Sequence, residues 1–302
     1  MKKLIGAICL LLLALPAHAA SLYSQPKYAA ILVNAGTGEV LYSRRADMLR
    51  PPASITKVMT LYLAFEAIEA GELKLTDRVT ISRHAAAQAP TKLGLPVGSS
   101  ISVDEAIRVI AIKSANDIAV ALAEKIGGSE AAFARMMTRK ANQIGMRNTV
   151  FANASGLPNP ALLTTARDIA TMSAALIRHF PQYYGYFSQR QFTVGRQQLT
   201  SHNRLLGKSE GVDGIKTGYT VASGFTLTAS ALRNGRRLIA VVLGGPTSKA
   251  RDENVAALLD AGFEVLERRS LGQRITVAAS LNEPNEHPSF PNEVPTGQGS
   301  SN

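Results

Sequence analysis

The segment from Val58 to Ile68 decides most about how this chain can fold. Val58, Met59, Leu61, Tyr62, Leu63, Ala64, Phe65, Ala67 and Ile68 are apolar and too closely spaced to occupy one face of a helix. A helix that is apolar on most sides has to be packed on most sides, so this one is a central element. Pro51 and Pro52 stop it from starting earlier, and Gly71 suits its end. At its start the chain reads Ala53-Ser54-Ile55-Thr56-Lys57. Residues three apart share a helix face, so the Ser54 hydroxyl and the Lys57 amine can meet. Two readings fit this stretch alone: Ser54 caps the helix, or it is a nucleophile with an amine beside it.

The compartment is written at the other end of the leader. Lys2 and Lys3 precede an apolar segment from Leu4 to Leu15, then Pro16 and Ala17-His18-Ala19, the pattern of a cleaved secretory signal over residues 1–19. That run is too short for a comfortable membrane span, and no other stretch comes close to one. The only cysteine, Cys9, lies inside the signal, so the exported chain carries no thiol and relies on its core for stability. Removing residues 1–19 takes away two lysines and no acids, so the net charge falls from +11 to +9. A basic surface serves solubility or attraction to anionic phospholipid or cell-wall polymer. No basic run is interleaved with aromatics, which excludes nucleic acid as a partner.

Further along, Tyr28–Val33 and Glu39–Ser43 flank Asn34-Ala35-Gly36-Thr37-Gly38 and predict a β-hairpin. The stretch 75–101 reads as an irregular excursion with short strands at 78–82 and 99–101. Helical spacing returns at 103–111 and 117–126, closed by Gly127 and Gly128, then again from Ser129 to the Gly145 turn and from Thr164 or Thr165 to Phe180. From there the period is that of strands, at 191–194, 212–219, 225–231 and 237–243, with Asn234-Gly235 as the strongest hairpin turn. A last helix spans about 252–269. Strands at both ends and helices between predict an α+β fold, an α/β sandwich in which one antiparallel sheet from the N-terminal hairpin and the C-terminal strands packs on an inserted helical lobe. One folded domain is expected over residues 20–270. The Pro, Asn, Gly and Ser-rich segment 271–302 is expected to be disordered.

Three short motifs occur in order: Ser54-x-x-Lys57, Ser114-x-Asn116 and Lys216-Thr217-Gly218. They fall at a helix start, a helix junction and a strand. A serine needs a base to attack at neutral pH, and a neutral lysine one turn away can serve; burial and a second cation, Lys216, would both push the Lys57 amine down. Ser114 can pass a proton to a leaving amine, and Asn116 can hold both Lys57 and a substrate amide. Lys216 and Thr217 on an edge strand can take a substrate carboxylate while the strand pairs with the substrate backbone. The backbone N–H groups of Ser54 and of the strand near Tyr219 can form an oxyanion hole. His84, His179 and His202 read as structural or exposed. No repeat, metal-ligand cluster or phosphate-cradling loop is visible, so no cofactor and no metal is implied.

This trio resembles that of penicillin-binding proteins and class A β-lactamases. Longer stretches are similar to the low-molecular-mass penicillin-binding proteins that act as serine D-Ala-D-Ala carboxypeptidases: Pro52–Lys57, Lys113–Asp117, Asn153–Leu157, Thr165–Asp168, His202–Leu206 and Val212–Tyr219. The resemblance runs from about Tyr28 to Phe263 and implies a β-lactamase/transpeptidase-like fold. It also implies Ser54, Lys57 and Ser114 as catalytic residues and Asn116, Lys216, Thr217, Gly218, Tyr219 and Arg251 as substrate-binding ones, Arg251 matching the arginine that binds the terminal carboxylate. The implied reaction removes the terminal D-alanine from peptidoglycan stem peptides through an acyl-serine, with β-lactams as covalent inhibitors, in cell-wall biosynthesis and cell shape. Many members add a β-rich second domain and an amphipathic membrane anchor. This chain has no room for the domain after Ser270 and no apolar face in its tail, so a soluble periplasmic enzyme is expected. The short form also resembles the branch that cleaves D-Ala to diaminopimelate crosslinks, which keeps D,D-endopeptidase activity open beside a non-catalytic peptidoglycan-binding role. The Glu-x-x-x-Asn of class A β-lactamases is absent, and Glu124 and Glu130 lie on helical stretches, so slow hydrolysis of a penicilloyl-serine is expected.

Overall fold

The computed structural model describes residues 26–281. The leader expected at residues 1–19, and the tail after Leu281, lie outside the described residues. Strands β1 (Ala29–Asn34) and β2 (Val40–Arg44) form the predicted hairpin. Two small ribbons follow, β3 (Arg78–Thr80) with β4 (Ser100–Ser102) and β5 (Gln191–Val194) with β6 (Gln197–Thr200). Strands β7 (Val212–Thr220), β8 (Gly224–Arg233) and β9 (Arg236–Gly245) then join the hairpin in one antiparallel sheet of order β2-β1-β9-β8-β7. Asn234 and Gly235 both have positive φ, 48° and 72°, the conformation that a tight two-residue hairpin turn demands. β1 pairs with β9 from Ala29↔Leu243 to Asn34↔Leu238, which brings the first and the last strand of the sequence side by side.

Between β2 and β7 the chain builds helices α1 (Thr56–Glu69), α2 (Arg83–Ala86), α3 (Val103–Ile112), α4 (Asn116–Gly127), α5 (Glu130–Gln143) and α6 (Ala166–His179). Every residue of α1 from Thr56 to Phe65 is buried, as its all-round apolar sequence requires. A capping box at Ser102 and Glu105 starts α3, and Gly128 at φ +74° ends α4. After β9 come α7 (Ser248–Ser270) and α8 (Val277–Ser280).

The sheet is covered on both faces, and β1 shows how. Ala29, Ile31 and Val33 point into the core shared with the helical lobe, whereas Tyr28, Ala30 and Leu32 point into the core shared with α7. The α+β sandwich with an inserted helical lobe is therefore the observed architecture. Gly262 lets α7 settle closely: a Cβ there would fall 2.5 Å from a methyl of Leu32.

The structure differs from the sequence reading at several places, the strand Gln197–Thr200 and the short helix Arg83–Ala86 among them. The last helix begins at Ser248, because the Thr247 hydroxyl accepts the Ala250 N–H and caps it. Residues 181–188, for which the sequence pattern predicts neither helix nor strand, form a 3-10 segment whose aromatics stack on the central helix, Tyr183 against Phe65 at 4.9 Å. Part of the segment expected to be disordered is ordered: Ile275, Ala278 and Leu281 pack on the α7 face of the sheet, and Val277 is fully buried. The apolar side chains of these few residues find a surface that the polar composition of the wider tail conceals.

Candidate active site

The turn before α1, α1 itself, the α3–α4 junction and edge strand β7 meet at a cavity of about 530 Å³. Of the nine residues singled out in the sequence, Ser54, Ser114, Asn116, Thr217, Gly218, Tyr219 and Arg251 line it. Lys57 and Lys216 lie behind its wall, both buried.

Ser54 sits in a 3-10 turn, Ala53–Ile55, and its side chain caps nothing. That removes the capping reading. Ala53 holds φ at +50°, a strained value for a residue with a Cβ. The Lys57 amine lies 3.1 Å from Ser54 Oγ and 2.7 Å from Asn116 Oδ1, and it also bonds the Ser155 carbonyl. Asn116 is fixed in orientation because its Nδ2 donates to the Ala89 carbonyl at 2.8 Å, which leaves Oδ1 to face Lys57. Two of the three neighbours of the amine can only accept. An uncharged amine has two hydrogens and one lone pair, so it gives the hydrogens to Asn116 and Ser155 and aims the lone pair at the Ser54 hydroxyl. Burial favours that uncharged form and holds the Lys57 amine well below its ordinary range; the Lys216 cation adds to this, and Asp117 opposes it. The Asp117 carboxylate is itself occupied by the backbone N–H groups of Leu93, Gly94 and Ile118.

Ser114 also has positive φ, 62°, and its hydroxyl is buried without a hydrogen-bond partner among the described residues. Its neighbours fix the backbone: Thr91 Oγ1 donates to the Ser114 carbonyl at 2.9 Å, and Asn116 N–H donates to the Thr91 carbonyl at 2.7 Å. A buried, unbonded hydroxyl facing a cavity is a group held ready for a ligand.

β7 is the edge of the sheet and approaches Ser54 closely. A Cβ on Gly218 would lie 2.6 Å from Thr226 Oγ1 and 2.9 Å from the Ser54 nitrogen, so glycine alone permits this contact. Tyr219 stands half-exposed at the rim and stacks on Phe225 at 4.3 Å. Lys216 donates to the Thr217 carbonyl at 3.0 Å; burial first and the Arg251 cation second lower its amine to about 7. Arg251 is fastened by Nε and Nη2 to Asp252, and by Nη1 to the Thr226 carbonyl at 3.0 Å. Asp252 also takes Arg204 Nε at 2.9 Å, so one carboxylate is shared by two guanidinium groups. His202, pushed down to about 4 by burial and the surrounding cations, is neutral at pH 7. This side of the cavity is thus built for an anion.

Sequence reasoning missed the Ser155 carbonyl and Arg204. The first is a backbone group with no residue-type signature. The second falls within His202–Leu206, a segment marked by resemblance but given no role, whereas His202, read as structural or exposed, is exposed where it lines the cavity.

A family model described as D-alanyl-D-alanine carboxypeptidase (peptidase S11) matches residues 17–247. The chain is 38% identical over 256 residues to the D-alanyl-D-alanine carboxypeptidase DacF of Bacillus subtilis, covering 83% of this chain and 66% of that protein. It is 39% identical over 244 residues to DacA of Escherichia coli, covering 78% and 60%. It therefore spans somewhat less than two thirds of the length of these relatives. Among solved structures, penicillin-binding protein 5 of Haemophilus influenzae superposes with a TM-score of 0.77 at 35% identity, over 83% of this chain and 73% of that one. Penicillin-binding protein D2 of Listeria monocytogenes, in its cefotaxime-bound form, gives 0.72 at 32% identity over 78% and 96%. The resemblance read from the motifs and the match across most of the folded region agree, and the chain belongs to the D-alanyl-D-alanine carboxypeptidase family, peptidase S11.

Proposed function

We propose that this protein is an exported serine-type D,D-carboxypeptidase that removes the terminal D-alanine from peptidoglycan stem peptides. The observation that carries the reading is the place of the Lys57 amine, 3.1 Å from Ser54 Oγ and bonded to Asn116 Oδ1 and the Ser155 carbonyl, so that in its uncharged form the lone pair is left for the Ser54 hydroxyl. Ser54 Oγ attacks the carbonyl of the penultimate residue as its proton passes to Lys57. The Ser54 N–H and the β7 backbone at Tyr219 receive the oxyanion. Ser114 hands a proton to the departing amine and is reprotonated with the one that Lys57 took from Ser54, the C–N bond breaks, and D-alanine leaves an acyl-serine that water then hydrolyses. The carboxylate of the leaving residue is held by Lys216, Thr217 and Arg251, and the substrate backbone runs along the free edge of β7, with Asn116 on its amide.

A β-lactam presents the same carboxylate beside a strained amide. Its ring opens on Ser54, and the amine stays tethered, so the acyl-serine persists. The cefotaxime-bound Listeria structure supports extending this to the present chain. The catalytic unit covers residues 20–270, the periplasm is its compartment, and no described helix is long and apolar enough to cross a membrane.

Labelled penicillin tests the assignment. Wild-type protein should be labelled covalently and Ser54→Ala should not; labelled Ser54→Ala would sink the reading. Pure protein given a stem pentapeptide should release D-alanine. The same assay on crosslinked muropeptide measures D,D-endopeptidase activity, and monomer release there without D-alanine release from pentapeptide would replace the carboxypeptidase by an endopeptidase.

A further inference from the structure

Lys57 is oriented in part by a backbone carbonyl, which raises the question of what holds that carbonyl. Residues 153–157 form a buried loop against α1. Its Ser155 and Gly156 N–H groups are satisfied inside the loop, by Asn153 Oδ1 at 3.2 and 2.7 Å. Two of its carbonyls reach α1, one helical turn apart: Ala154 accepts from Thr60 Oγ1 at 2.7 Å and Ser155 accepts from the Lys57 amine. The Ala154 N–H looks outward. It donates at 3.0 Å to Oε1 of Glu130, the first residue of α5, whose other oxygen meets His84 Nε2 at 2.6 Å. Only 13% of the Glu130 side chain is exposed, so this is a built contact.

We infer that Glu130 is a positioning residue for Lys57, setting the place of the Ser155 carbonyl through the Ala154–Ser155 peptide. The inference rests on the proposed role of Lys57 as the base for Ser54. The loop hangs from α1 by two hydrogen bonds and from α5 by this one. Without Glu130 the fully buried Ala154 N–H has no partner, and an unpaired buried donor drives the backbone to move until it finds one. Movement there draws the Ser155 carbonyl from the Lys57 amine, which is then free to turn its lone pair away from Ser54. The charge of Glu130 has no part in this. The charges that bear on Lys57 are those of Lys216 and Asp117, and the contact to Ala154 needs only an acceptor oxygen.

The test follows the rate of acylation by a fluorescent penicillin across pH for the full chain. Glu130→Ala should be acylated about tenfold more slowly or worse, with the acidic limb of its pH profile displaced because Lys57 has lost one hydrogen-bond acceptor. Glu130→Gln retains the acceptor and should stay within about threefold of wild type with the limb in place, and His84→Ala should behave as wild type. If Glu130→Ala does not fold, Glu130→Asp, too short to reach Ala154, should show the same loss and the same displacement. A wild-type rate and limb in the alanine or aspartate variant would overturn the inference, as would a glutamine variant as slow as alanine. Wild-type protein that penicillin does not acylate at all would sink the proposed function itself, and this inference with it.

Discussion

Gly156 lies so close to Ala53 that a Cβ in its place would overlap the Ala53 carbonyl oxygen. The contact joins the loop that supplies the Ser155 carbonyl to the turn that carries Ser54, and Gly156 holds φ at +84°, where any other residue is strained. Gly156→Ala should therefore push the two segments apart. The expected result is a loss of about 2–3 kcal/mol in denaturant unfolding, from overpacking together with left-handed strain. Acylation by penicillin should fall about 100-fold, because a displacement of about 1 Å at reacting groups has that effect. A variant with wild-type acylation would show that the loop does not set the position of Ser54.

Much of this was legible in the sequence, and the residues that were not share one property. Ser54, Lys57, Ser114 and Lys216 announce themselves by side-chain type at fixed spacing, and Asn234-Gly235 announces its turn by the conformation it needs. That the N-terminal hairpin and the C-terminal strands form one antiparallel sheet followed from strand periodicity at both ends of the chain. By contrast, the Ser155 carbonyl is an atom that every residue possesses, and the contact of Glu130 with Ala154 joins positions 24 residues apart with no pattern between them. The packing of Val277 was hidden because a single apolar residue in a polar segment gives no period to detect.

Two lysines with opposite requirements predict the pH profile. Lys57 has to be unprotonated to act as a base, and Lys216 has to be protonated to attract a carboxylate. The rate constant kcat/KM should rise as Lys57 sheds its proton and fall as the free protein passes about 7, where Lys216 loses its own. A bound carboxylate favours protonated Lys216, so the alkaline limb of kcat should lie above that of kcat/KM. Lys216→Arg keeps its charge at every working pH, so its alkaline limb should vanish even if its maximum rate is lower. A limb left in place would assign it to another group.

Lys216 should also mark the stability curve. Its amine falls from an ordinary 10.5 to about 7 on folding, so between those values the unfolded chain carries a proton that the folded protein has lost. Unfolding then takes up a proton, and stability must rise with pH across that window. Well below pH 7 both states are protonated and the burial cost is felt in full. Lys216→Met cannot titrate, so its stability relative to wild type should be greatest at pH 6–7 and shrink towards pH 10, measured by urea unfolding at each pH. A constant difference would mean that the buried amine is not what sets the slope.

Arg251 is expected to act on binding. Its guanidinium is buried and already held by Asp252 and the Thr226 carbonyl, so it meets a substrate carboxylate as a fixed partner. Arg251→Gln should raise KM for a D-Ala-D-Ala peptide by about 10- to 100-fold, the worth of one hydrogen bond to a charged group. A substrate analogue amidated at the terminal carboxylate should lose much less on the same substitution. Equal losses for both substrates would remove the carboxylate from the role of Arg251.

Ser114→Ala separates fold from function most cleanly. The Ser114 hydroxyl is buried and makes no hydrogen bond among the described residues, so removing it breaks no bond and leaves no partner stranded. Stability should be unchanged or higher by up to about 1 kcal/mol, since an unpaired buried polar group is itself unfavourable. Turnover should nonetheless fall by about 100-fold or more if this hydroxyl delivers the proton to the leaving amine, the usual worth of a positioned general acid. Ser114 also sits at φ +62°, where alanine and serine are similarly strained, so the substitution leaves the backbone cost unaltered. A variant that is both less stable and equally active would mean that the hydroxyl serves the fold; one that is as stable and far slower would mean that the protein keeps an unsatisfied group in its core for the sake of a proton.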